Sequence, residues 1–100
     1  MKQTVYSRRQ LQSVILPILH RYNAQSALLF GSYAKEQASP ESDIDLVVYG
    51  GENFNPTDIF AIAEDLHRAS GKAVDVYEIS ELEKGTPFYK AVMEGGVLLR

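Results

Sequence analysis

The chain has 100 residues, of which 45% are hydrophobic and 23% charged, a balance that predicts one folded domain over residues 1–100 and excludes wholesale disorder. Its formal net charge of −3 argues against duplex nucleic acid as a partner, and the absence of cysteine excludes disulfides and cysteine-ligated zinc. No apolar run approaches the roughly 18 residues of a membrane span, and residues 1–4 lead into polar sequence without an apolar signal core, so we expect a cytoplasmic protein without a membrane span.

The first predicted element is a helix. Ser7 and Gln10 have the spacing of a capping box, and Tyr6 with Leu11 has that of a hydrophobic staple. Pro17 lies inside this helix and predicts a kink or a break, since proline has no amide hydrogen and crowds the preceding turn. A stripe of apolar residues at helical spacing would be buried: Leu11, Val14, Ile15, Ile18, Leu19 and Tyr22.

The next segments alternate between strands and polar connections. Residues 26–30 are almost continuously apolar, which favours a strand buried on both faces. Residues 33–36 predict a short helical turn, and residues 37–42 a loop. Residues 43–49 form the second predicted strand, ended by two glycines.

The second half of the chain continues this alternation. Asn55, followed by proline, predicts a helix start, and Gly71 lies where a C-terminal cap belongs. A third strand over residues 73–77, a short helix over 86–93 and a last strand over 97–99 follow. This order predicts an α/β (α+β) fold, with a small mixed sheet of three to four strands flanked by helices.

Three carboxylates belong to two of these strands. Because side chains alternate along a strand, Asp43 and Asp45 would project from one face. If the third strand is adjacent, Asp75 joins them while Val74 and Val76 face the core. Such crowding raises carboxylate pKa values, and a hard cation relieves the repulsion. Carboxylate, phosphate and water oxygens suit Mg²⁺, so these three acids are the predicted catalytic and metal-binding residues.

A polar turn follows the first strand. Gly31 would let the backbone approach a phosphate closely, and the Ser32 hydroxyl with neighbouring amides could hold a diphosphate. Lys35, one turn later, could reach the same phosphates. A phosphate-binding turn beside strand-borne acids is what nucleotidyl transfer requires, since that reaction depends on positioning and charge neutralisation. The sequence therefore predicts a small nucleotidyltransferase.

Other motifs fail on detail. The chain has neither G-x-x-x-x-G-K-[ST] nor G-x-G-x-x-G, and Leu46 to Val48 follow Asp45 where an EF-hand loop needs glycine and further oxygen ligands. His20 and His67 lie far apart in helical patterns and lack zinc-site spacing.

Residues 31–35 (Gly-Ser-Tyr-Ala-Lys) and 42–48 (Ser-Asp-Ile-Asp-Leu-Val-Val) resemble the signature of the minimal nucleotidyltransferases (MNT) of the DNA polymerase beta-like superfamily, antitoxin type. Residues 74–76 look like the third acidic strand of that fold, and residues 86–99 are also similar. The resemblance implies Mg²⁺-dependent transfer of a nucleoside monophosphate, usually AMP from ATP. Members are often antitoxins paired with a helical HEPN-type RNase toxin, which some inactivate by AMPylation of a tyrosine.

By position, Gly31 and Ser32 match the nucleotide-gripping pair of that family, and Asp43, Asp45 and Asp75 its metal-binding acids. The chain departs from the pattern at two places. Glu36 stands where glycine is common, and Tyr33 where many members have arginine. Both departures are expected to weaken the positive potential near the phosphates.

Three functions fit these residues. The first is an enzyme that modifies a macromolecular acceptor, with a HEPN-type toxin as partner. The second is a non-catalytic antitoxin that neutralises its partner by contact, and the third is a sugar-nucleotide transferase with an Asp-x-Asp site. Base specificity, the acceptor, and assembly as a homo- or hetero-oligomer stay open, as does whether Tyr33 stacks on a base or packs in the core.

Overall fold

The computed structural model describes residues 5–100, within which three α-helices, four strands and one 3-10 turn alternate. The expectation for residues 1–4 lies outside this part of the chain. The elements are α1 (Arg8–Arg21), β1 (Ser26–Phe30), β2 (Ile44–Tyr49), α2 (Asp58–Ser70), β3 (Val74–Glu78), the 3-10 turn (Ile79–Glu81), α3 (Pro87–Gly95) and β4 (Val97–Leu99). None of the helices in residues 5–100 combines the length and the apolar character that crossing a membrane requires.

The four strands form one mixed sheet in the order β3-β2-β1-β4. Strand β1 pairs antiparallel with β2 and β4, whereas β2 and β3 are parallel. A parallel pair needs a crossover connection, and α2 supplies it. The predicted mixed α/β sheet is confirmed.

The two faces of the sheet are covered unequally. Ile44, Leu46 and Val48 of β2 face the main core, which they share with α1 and α2. The alternate residues of β2 face the other side, where Val47 packs with Leu28 of β1 and Val92 of α3 in a smaller cluster. Asp45 therefore belongs to the face that the short helix α3 and the residues just after β3 partly cover.

Helix α1 begins as its sequence predicts. Ser7 Oγ accepts from the Gln10 amide at 3.0 Å, and Gln10 Oε1 accepts from the Ser7 amide at 2.8 Å, which completes the capping box. The helix then continues through Pro17, so the break that the sequence allowed does not occur. Pro17 and Ser13, whose carbonyl loses its amide donor, are both exposed, and water can bond that carbonyl instead.

Helix α2 begins later than predicted. Thr57, not Asn55, is its N-cap, because the Asn55 side chain accepts from the Thr57 amide and hydroxyl in a local turn. The amides of Asp58 and Ile59 bond to carbonyls three residues back, so a tight turn precedes the α-helix. Gly71, at φ +74°, ends the helix as expected.

Candidate active site

Two of the predicted acids are direct neighbours in the sheet. Asp45 of β2 is in register with Asp75 of β3, and the parallel pairing sends both side chains to the same face. The two carboxyl groups are close enough for the negative charge of Asp75 to raise the pKa of Asp45. Asp43, just before β2, is close enough for its charge to act on Asp45. The structure thus places Asp45 and Asp75 side by side, with Asp43 nearby.

Asp45 is the most perturbed of these groups. Its pKa rises from 3.8 to about 6, first because it is partly buried and then because of the negative charges of Asp75 and Asp43. Asp43 and Asp75 are exposed. The raised pKa means that burial and the neighbouring carboxylates both disfavour the charged form of Asp45.

Gly31 lies against Asp45. Its φ of +75° is in the left-handed region, and a Cβ atom at this position would overlap the Asp45 carboxylate oxygen Oδ2. Only glycine satisfies both conditions without strain. The turn therefore lies directly beside Asp45, a contact that the sequence pattern, which predicts only close approach of Gly31 to a phosphate, does not indicate.

The predicted helical turn after β1 is a series of tight turns over residues 31–36. The Lys35 amide bonds to the Gly31 carbonyl at 3.2 Å, and the Gln37 amide to the Ser32 carbonyl at 2.9 Å. The amides that come before Lys35 in this turn correspond to the first amides of a helix, which have no carbonyl partner within the helix. Ser32 is half-buried and Lys35 is exposed.

The family model of polymerase beta nucleotidyltransferases matches residues 14–100. The chain belongs to this family. It is a nucleotidyltransferase, as its sequence predicts.

Relatives by sequence agree with this class. Over 67 residues, the nucleotidyltransferase is 36% identical to MJ0435 of Methanocaldococcus jannaschii, an alignment that covers 67% of this chain and 72% of that protein. MJ1379 of the same organism is 34% identical over 76 residues, 74% of each chain. Both relatives are provisionally named protein adenylyltransferases.

Solved structures share the fold. A provisionally assigned minimal nucleotidyltransferase superposes with a TM-score of 0.73, at 25% identity and 89% coverage of each chain. A toxin–antitoxin structure with AMP-PNP gives 0.75, at 24% identity, over 89% of this chain and 72% of that one. A Shewanella oneidensis complex of a tri-AMPylated HEPN toxin with an MNT antitoxin gives 0.69, at 22% identity, over 92% and 71%.

The two departures from the family pattern now have structural explanations. Tyr33 is 4% exposed and belongs to the main core, where its hydroxyl accepts a hydrogen bond from the Tyr6 amide at 3.5 Å. Its ring is therefore not available to stack on a base. Glu36 has a φ of +57°, a conformation that favours glycine, and pairs with Arg8 at 3.2 Å. Arg8 therefore partly balances the charge that Glu36 adds, and a weaker positive potential near the phosphates stays a prediction.

Lys72 is a residue that sequence reasoning missed in this nucleotidyltransferase. It is 6% exposed, and its ammonium group donates to the Pro40 carbonyl at 2.6 Å. The adjacent Ala73 carbonyl accepts from the Ile44 amide at 2.9 Å. These two bonds tie the loop before Asp43 to the start of β3. No local pattern marks Lys72, since its partner is 32 positions away.

The acids alone do not form a closed metal site. Within residues 5–100, no group of three or more Asp, Glu or His side chains is arranged to hold an ion by itself. The predicted set of three metal-binding acids is therefore not preassembled, and Asp45 and Asp75 are the two that could bind Mg²⁺ together with water and substrate phosphates. The hard oxygen donors and the raised pKa of Asp45 both suit a divalent cation at this place.

Proposed function

We propose that this nucleotidyltransferase moves AMP from ATP onto a macromolecular acceptor, and that the acceptor is a HEPN-type toxin with which it forms a toxin–antitoxin pair. The observation that carries the proposal is the side-by-side placement of Asp45 and Asp75 on the open face of the sheet, with Gly31 against Asp45. The names of the relatives and the toxin–antitoxin complexes among the structural neighbours support the choice of acceptor.

The acids would divide the work by position. Asp43 and Asp45 would hold the metal on the triphosphate side, and Asp75 would orient the acceptor hydroxyl and take its proton, because it is exposed on the edge strand β3. Mg²⁺, when bound, would neutralise charge on the phosphates. The hydroxyl oxygen then bonds to the α-phosphorus while the bond to the leaving diphosphate breaks.

The turn after β1 would receive the diphosphate. The first amides of the turn and the Ser32 hydroxyl would donate hydrogen bonds to it, and Lys35 would add a positive charge at the exposed rim. Gly31 would keep this turn in contact with Asp45, so the leaving group and the metal-binding acid stay in fixed relation.

A label-transfer experiment tests the proposal. The protein is incubated with Mg²⁺, ATP labelled at the α- or the γ-phosphate, and the product of a neighbouring gene that encodes a small helical protein. We expect the partner to acquire α-label but no γ-label, and Asp45→Asn to abolish transfer while the exposed Glu52→Gln leaves it intact. No α-label on the partner from any of the four nucleoside triphosphates would refute the transfer.

A second candidate is neutralisation by contact alone. It is favoured by the structural neighbours that are toxin complexes. Co-expression of the toxin with Asp43→Asn separates the two functions, since cell growth would be restored by this variant only if contact is sufficient. Growth arrest with folded Asp43→Asn supports the enzymatic proposal.

A further inference from the structure

Three aromatic rings meet beside the acids. The ring centroids of Phe30 and Phe88 are 5.7 Å apart, those of Tyr77 and Phe88 5.6 Å, and those of Phe30 and Tyr77 6.1 Å. These spacings are typical of interacting aromatic side chains. We call Phe30, Tyr77 and Phe88 the aromatic platform.

The platform adjoins the acids on the same face of the sheet. Phe30 is in register with Asp45, and Tyr77 follows Asp75 by two residues on β3, so its side chain is one step further along that face. Two residues of a strand span about 7 Å. This is a distance that one sugar can bridge between a phosphate at the acids and a base at the rings.

The outer ring of the platform is accessible. Phe88, in the first turn of α3, is 44% exposed, although it is a large apolar side chain. A cavity of about 130 Å³ lies between Phe30, Gly31, Lys35 and Phe88, closed by residues of α3. The cavity thus connects the predicted phosphate-binding turn to the aromatic platform.

We propose that the aromatic platform binds the base of the nucleoside triphosphate, with Phe88 stacking on it. This inference rests on the proposed function, which places the phosphates at Gly31 and the acids. Aromatic rings bind any nucleobase through its π-face. Lys35, at the phosphate end of the cavity, supplies the charge complement that fixes which end of the nucleotide enters.

The platform also determines the class of substrate. Among the described residues that line the cavity, no Asn, Gln, Asp or Glu side chain is present to read the edge of a base. Discrimination between substrates is strong only where buried polar groups of the protein would be left unpaired by the wrong one. The aromatic platform therefore binds the base by stacking and does not by itself select ATP over the other nucleoside triphosphates.

Binding measurements on Phe88 variants test this assignment. Phe88→Ala and the bulkier Phe88→Leu should weaken a non-hydrolysable Mg²⁺–ATP analogue about 5- to 100-fold, the range expected for loss of one stacked base. Phe88→Trp, which keeps an aromatic ring at this position, should bind the ATP analogue about as tightly as the parent does. Mg²⁺–tripolyphosphate, which has no base, should bind parent and variants equally. Phe60→Ala, at a 73% exposed phenylalanine of α2, is the matched control and should leave the affinities for both ligands unchanged.

Each other result has a distinct meaning. Unchanged ATP affinity in both Phe88→Ala and Phe88→Leu would overturn the assignment and leave the platform to the acceptor. Equal weakening of ATP and tripolyphosphate would assign Phe88 a purely structural role and also overturn it. If the parent protein binds neither ligand, the proposed function fails together with this inference, whereas failure of the inference alone leaves binding by the parent intact.

Discussion

At the scale of single residues, the requirements of folding and of function conflict most at Asp45. Its carboxyl group is partly buried and faces two other acids, which the fold tolerates only by raising its pKa to about 6. A structural role alone would favour asparagine here, since an amide fills similar space without charge. Retention of the acid at a cost in stability is typical of functional sites.

The pH dependence of stability follows from this pKa. Asp45 binds its proton up to about pH 6 when folded but only to about 3.8 when unfolded. The folded state therefore holds more protons between these values, and stability falls as pH rises through this window. In metal-free protein, we expect the stability advantage of Asp45→Asn over the parent to grow from pH 4 to 6 and then level off, as measured by urea denaturation.

The depressed pKa of Asp65, caused mainly by its hydrogen bond from Tyr22, acts in the opposite direction, but it is common to parent and variant and cancels in the difference. A difference that is constant with pH would show that Asp45 titrates normally.

Gly31 permits a second test at this scale. Gly31→Ala combines a strained positive φ with an overlap onto Asp45 Oδ2, whereas Gly85→Ala has a similar φ of +88° and no atom within 4 Å of the added Cβ. Both should lose about 1–2 kcal/mol from backbone strain. Gly31→Ala should lose more and should also reduce nucleotide transfer by at least about tenfold, since a displacement of about 1 Å can cost 100-fold. Equal stability and activity of the two variants would show that the Gly31–Asp45 contact contributes to neither property.

At the scale of elements, the parallel strands β2 and β3 create the site, and the loop before β2 has to be held against them. Lys72 does this through the Pro40 carbonyl. The loop also bonds to itself, since the Ser42 amide donates to the Ser39 carbonyl at 3.0 Å. Removal of the ammonium group should free this loop without unfolding the sheet.

We therefore expect Lys72→Met to accelerate hydrogen exchange at the Ser39 and Ser42 amides, while global stability changes by less than about 3 kcal/mol, the upper range for a hydrogen bond to a charged group. Lys84→Met, at an exposed lysine, is the control. Unchanged exchange at both serine amides in Lys72→Met would show that the loop is held by other contacts.

The elements themselves could be read from the sequence because their signals are local. The bounds of β1 match the prediction, and the capping box at Ser7 and the glycine cap at Gly71 form as expected. The strand period predicted that Asp45 and Asp75 share one face on the condition that their strands are neighbours, and β2 and β3 are neighbours. The sequence does not predict two of the long-range bonds, that of Arg8 to Glu36 and that of Lys72 to Pro40. The partners are 28 and 32 positions apart and meet only when the chain packs.

At the scale of the whole molecule, the unequal covering of the sheet makes the site accessible. One face is sealed by α1 and α2, and its residues supply most of the core. The other face carries the smaller cluster beneath α3 and the residues just after β3, and it leaves Asp43 and Asp75 exposed, so a nucleotide and an acceptor could reach them. The same asymmetry exposes Phe88, which a fully covered sheet would bury.

The most direct test of the account is the change in melting temperature when Mg²⁺ is added with a non-hydrolysable ATP analogue. Ligand at about 100 times its Kd adds about 2.7 kcal/mol to the folded state, which raises the melting temperature of a domain this size by several degrees. We predict this rise in the parent and in Glu52→Gln, and none in Asp43→Asn or Asp75→Asn, although both should be as stable as the parent without metal. An equal rise in the parent and the Asp variants would contradict the assignment of these acids.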